Sequence, residues 1–142
     1  MNTTGRISFA QNNIALKANN LATTINQQIV NSSRMDEQPG IDEAMNAPGQ
    51  VRVDQADSFV QLSYDPQAQQ PKSFEFKVKQ DLKTPDGQVL MPAGTESTFT
   101  RSDDGVQTYE QKVPTPQGTY CQKAVVDDAT QTIDYNEWII NG

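Results

Sequence analysis

A chain of 142 residues holds one domain with a modest core, or a smaller domain plus an ordered arm, and excludes two full domains. Hydrophobic residues make up only 35%, so the core is small or completed by a partner, and the polar remainder is mostly uncharged, with 10 Asn, 17 Gln and 13 Thr. A net charge of -7 excludes a general nucleic-acid backbone binder, which needs clustered Lys or Arg, and the absence of histidine removes the usual Ser or Cys triads and zinc's common imidazole ligand.

The first segment, ISFAQNNIALKANNLATTINQQIVN, predicts a long helix. At 100° per residue, Ile7, Ala10, Ile14, Ala18, Leu21, Ala22, Ile25 and Ile29 fall within about 60° of one line. Residues 7, 18 and 29 repeat at an interval of eleven, which keeps the stripe in phase along a nearly straight helix. The opposite face carries Asn12, Asn13, Asn19, Asn20, Thr23, Thr24, Gln27 and Gln28, and Lys17 is the only charge between Ile7 and Ser33. Asn and Thr are poor helix formers, each costing roughly 0.5 kcal/mol relative to Ala, so this face is expected to find partners other than water. The helix would be ~40 Å long, more than the width of a small β-body. Two destinations follow for the stripe: the chain's own sheet, or a neighbouring subunit. The second is favoured here, with Ile7, Ala10, Ile14, Ala18, Leu21, Ile25 and Ile29 as the interface. It implies that removing residues 1–33 leaves a folded, smaller particle that no longer assembles.

Composition then changes. Residues 31–50 contain Pro39-Gly40, Pro48-Gly49 and four carboxylates, which read as a linker, and every acidic residue of the chain lies after Ser33. The predicted organisation is a helical arm over 1–33, a linker over 34–50 and an antiparallel β-domain over 51–142.

From Val51 the pattern is β. SFEFKVK alternates, with Phe74, Phe76 and Val78 on one face and Glu75, Lys77 and Lys79 on the other. FVQLSY, QVLM, TESTFT, VQTYEQKV, TYCQKAVV and TIDYNEWII are further strand candidates, separated by the turn sequences DPQAQQP, TPDG, MPAG, SDDG, PTPQG and DDAT. TPDG calls for Gly87 in a left-handed conformation, and MPAG for a turn with Pro92 second and Gly94 third. The fold class is α+β: a long N-terminal α-helix followed by a small antiparallel β-sandwich or barrel.

Candidate chemistry is sparse. Asp103-Asp104 and Asp127-Asp128 fall in predicted turns, where Asp caps the backbone. DEQPGIDE lacks the alternating ligand spacing of a calcium loop. Cys121 has no histidine to activate it and reads as a small buried hydrophobe. Trp138 and Tyr135 read as core residues of a closing strand. No catalytic, cofactor-binding or metal-ligating residue is therefore predicted, and no cofactor. The expected function is a non-enzymatic structural or assembly subunit of a larger complex, of a kind that would suit a bacteriophage virion as a decoration, neck or tail protein. Its expected partners are protein subunits, its own or others, in an oligomer, with no direct nucleic acid and no membrane. Two alternatives are a soluble ligand-binding β-domain and an acidic nucleic-acid-mimic inhibitor. No Sec-type signal or membrane-spanning run is present, so the expected location is the cytoplasm when made, with incorporation into a virion.

Overall fold

A computed structural model describes residues 4–33, 50–65 and 70–141, with helical side chains from Asn13 onward. The expected linker lies outside the described residues, except Gln50, which opens the first strand. The chain is α+β, as the pattern predicts. Among the described residues, one helix, α1 (Thr4–Ser33), precedes nine strands: β1 (Gln50–Asp54), β2 (Ser58–Tyr64), β3 (Pro71–Val78), β4 (Leu82–Lys83), β5 (Val89–Met91), β6 (Glu96–Arg101), β7 (Val106–Thr115), β8 (Gly118–Asp127) and β9 (Thr132–Ile140). Seven of them form one antiparallel sheet in the order β1-β2-β3-β6-β7-β8-β9, and β4 and β5 make a separate two-stranded ribbon between β3 and β6.

The seven-stranded sheet follows chain order, with short turns joining β6 to β7 and β7 to β8 and the β4–β5 ribbon lying between β3 and β6. Gly87 and Gly105 adopt φ of 89° and 90°, and each donates its N–H to a residue three positions earlier, Thr84 and Ser102. The two turns thus share one design, closed by the Thr84 hydroxyl on Asp86 and the Ser102 hydroxyl on Asp104. Those hydroxyl bonds hold both carboxyls below the usual range. The MPAG turn sits one residue later than predicted: Thr95 donates to the Pro92 carbonyl, so Pro92 is the first residue and Gly94, at φ 94°, the third.

Side-chain alternation gives the sheet one apolar and one polar face. In register, Val51, Leu62, Phe74, Phe99, Tyr109, Ala124 and Tyr135 form a single row across all seven strands. All but the half-buried Tyr135 are buried, and the Phe99 and Tyr109 rings meet at 5.0 Å. The neighbouring row on the opposite face reads Arg52, Gln61, Glu75, Thr98, Glu110, Lys123 and Asn136, which is polar throughout.

α1 covers the apolar face. Ala18, Leu21, Ile25 and Ile29 are 0–4% exposed and share one core cluster with the sheet row, so the expected arm and body pack together over this stretch. Asn26 Nδ2 donates to the Tyr109 hydroxyl at 3.4 Å, and that hydroxyl donates to Gln107 Oε1 at 2.9 Å, fixing the helix over β7. Burial raises the Tyr109 phenol above its ordinary value.

Candidate functional site

The interface expected on the helix stripe is largely turned inward. Of its residues, Ala18, Leu21, Ile25 and Ile29 lie in the chain's own core and Ile14 is half-buried, while the side chains of Ile7 and Ala10 lie outside the described residues. The uncharged face is not covered by the chain's own sheet: Asn13, Asn19, Asn20, Thr23, Thr24 and Gln27 are exposed. Gln28 differs, its amide nitrogen and oxygen being buried with no hydrogen-bond partner among the described residues.

Leu16, Val30, Val89 and Leu90 are exposed, and four further exposed apolar side chains gather on one strand at the other end of the chain. Strand β9 is the last in the sheet, so no described strand pairs with its outer side. A strand edge presents unpaired N–H and C=O groups, and natural proteins usually shorten it, bulge it, or place Lys or Pro on it. The opposite edge follows that rule: β1 has five residues and carries Arg52 and Asp54, with Lys79 bound to Asp54. β9 does not. It runs nine residues, TIDYNEWII, in unbroken register with β8, and contains neither Lys nor Pro, its charges being Asp134 and Glu137. Ile133, Trp138, Ile139 and Ile140 are 37%, 37%, 52% and 47% exposed.

This corrects the expectation for Trp138. Its register partner is Cys121, on the face turned away from α1, so the indole stands on the surface rather than in the core. Cys121 itself is fully buried beneath this surface, flanked in register by Lys112 and Trp138. Tyr135 does face the helix and packs against the core at half burial.

Polar contacts pin β9 to the helix. Lys17 Nζ binds Glu137 Oε1 at 3.0 Å, and Lys17 lies 6.0 Å from the centre of the Tyr135 ring. That hydrogen bond holds the Glu137 carboxyl below the ordinary range and raises the Lys17 ammonium above it. Gln122 Nε2 donates to the Tyr135 hydroxyl at 2.8 Å, and burial pushes the neighbouring Tyr120 phenol up. The helix's one described cation is therefore the clasp that sets its N-terminal half against the sheet edge.

Two open clefts flank the start of β9. One of about 490 Å³ is lined by Ile14, Ala15 and residues 131–134, and one of about 400 Å³ by residues 126–128 and 131–133. A third, of about 240 Å³, lies between the start of β3 and the β6–β7 turn. Asp127 caps its turn, accepting the Ala129 N–H at 3.1 Å, Asp104 accepts the Ser102 hydroxyl, and Asp128 accepts the Gln107 side-chain amide at 3.1 Å. Among the described residues no group of three His, Cys, Asp or Glu side chains converges as a metal site, and no helix is long and apolar enough to cross a membrane. Comparisons with protein families, with curated proteins and with solved structures find no match.

Proposed function

We propose that this chain is a non-enzymatic assembly subunit that joins a protein partner through the free edge of β9. The observation that carries the reading is a long strand edge in unbroken register, with Ile133, Trp138, Ile139 and Ile140 exposed beside Asp134 and Glu137 and with no Lys, Pro or bulge to keep another strand away. An added strand would satisfy its backbone groups, and Ile133, Trp138, Ile139 and Ile140 would supply apolar contact on both faces of the joint. The outer face of the sheet mixes signs, with Arg52, Lys77, Lys112 and Lys123 among Asp54, Glu75, Glu96 and Glu110. A surface that imitates a nucleic-acid backbone needs one sign, so the assembly reading is preferred. The uncharged, Asn- and Gln-rich composition is what points to a virion as the setting.

Native mass tests the proposal, measured for the purified chain and for the chain in an extract of the cells that make it, each beside Ile139→Lys. The wild type is expected in a species heavier than one chain in at least one setting, and the variant at the mass of one chain in both. A wild type that is a single chain in both settings overturns the assembly reading.

A further inference from the structure

We infer that α1 is a hinged strap: residues 21–33 stay locked on the sheet, while residues 13–20 lift from β9 about a hinge at Asn19 and Asn20, far more often than the whole chain unfolds. Burial along the helix is uneven. The locked part holds Leu21, Ile25 and Ile29 at 0–4% exposure, with Ser32 buried beside them. The strap buries only Ala18, whose side chain is a single methyl, and half-buries Ile14 and Ala15, while Leu16 is 59% exposed. Packing of an apolar face is what keeps a helix of this composition in place, so the two parts are held unequally.

Beneath the strap the packing is open. The cleft of about 490 Å³ separates Ile14 and Ala15 from residues 131–134, so these side chains lack partner atoms on one side and gain little dispersion contact there. What holds the strap down is the clasp of Lys17 Nζ on Glu137 Oε1 at 3.0 Å, whose two side chains are 44% and 39% exposed. An ion pair this exposed contributes little, and salt screens it further.

The hinge is marked in the helix itself. Thr24 Oγ1 donates to the Asn20 carbonyl at 3.0 Å, sharing the acceptor that helical geometry assigns to the Thr24 N–H. Such back-bonding weakens and bends a helix. It falls where two poor helix formers, Asn19 and Asn20, stand just before Leu21, the first large side chain of the locked part. Lifting the strap uncovers Tyr135, over which Lys17 lies, and Ile133, which lines the cleft with Ile14. Screening of one ion pair thereby controls access to the helix side of β9.

Amide hydrogen exchange of the full chain, resolved residue by residue, reads the hinge. Asn13, Asn19 and Asn20 do not sustain a helix in water without packing, so lifting appears as exchange. Amides 21–24 exchange with the strap, because their acceptors are the carbonyls of residues 17–20. The expected profile is a step: residues 13–24 share one opening rate and exchange about tenfold or more faster than residues 25–33. Lys17→Gln, or added salt in the wild type, should speed residues 13–24 by about two- to fivefold and leave residues 25–33 unchanged. Equal protection on both sides of Thr24 overturns the hinge, and so does a smooth ramp from Asn13 to Ser33 of the kind that end fraying gives. A step that neither Lys17→Gln nor salt moves, or a variant that speeds both parts equally, overturns control by the ion pair.

Discussion

Ile25→Ala measures whether the helix stripe belongs to the chain's own core. The side chain is fully buried between α1 and the sheet, and the substitution removes three carbon atoms. At about 0.8 kcal/mol per buried carbon, the transfer contribution is about 2.4 kcal/mol. The cavity left behind brings the expected loss to about 3–4 kcal/mol, within the roughly 2–5 kcal/mol found for such truncations. For a domain of this size that lowers the unfolding midpoint by roughly 10 °C. Circular dichroism melts at two protein concentrations a hundredfold apart give the readout, with Leu16→Ala, at a residue 59% exposed, as the control. An intramolecular stripe loses the same stability at both concentrations, whereas a stripe docked in a neighbour loses stability that depends on concentration. A melt of Ile25→Ala within 2 °C of wild type, or a deficit that disappears on dilution, would refute the packing described above.

Deleting residues 1–33 uncovers Val53, Leu62, Phe74, Phe99 and Tyr109, so the truncated chain should lose its cooperative melt and bind a hydrophobic dye; a sharp melt would show that the sheet stands alone, as the sequence led us to expect. Trp138, on the surface, should emit at longer wavelength than a buried indole when the protein is dilute; a short-wavelength maximum in dilute protein contradicts that placement. Gly118 has φ 131°, and a Cβ there would lie 2.5 Å from the Ile140 carbonyl oxygen, so Gly118→Ala should cost about 1–3 kcal/mol by urea denaturation and loosen the end of β9; an unchanged midpoint would show that the β8–β9 end yields freely. Glu137 has a depressed folded pKa, so its contribution is present above the ordinary carboxylate range and is lost as pH falls through the folded value. Glu137→Gln should accordingly flatten part of the acid limb of stability against pH and leave the limb near neutrality parallel to wild type, whereas an acid limb identical to wild type's would remove the Lys17 clasp from the account.

The strands were legible because each signal was local. In SFEFKVK, alternation at a period of two places Phe74 and Val78 inside whatever sheet they join, and Gly87 needs a positive φ wherever TPDG closes a turn. The helix was legible for the same reason. Its destination was not, since an apolar stripe is satisfied equally by its own sheet or by another chain, and only the sheet's apolar face decides. Trp138 was misread because an aromatic strand looks like core until its parity is known. One available signal pointed the other way: the terminal WII is apolar at both parities, which a half-buried strand has no use for.

By itself the sequence determined the element types and the reversals between strands, both of which depend on residues close together along the chain. The tertiary structure decided which apolar groups are already satisfied. Strand order places β9 at an edge, register turns Trp138 outward beside Cys121, and the Lys17–Glu137 pair seats the helix at that edge. Those outcomes join residues up to 120 positions apart, and burial at such separations is a property of the folded sheet rather than of any window along the chain.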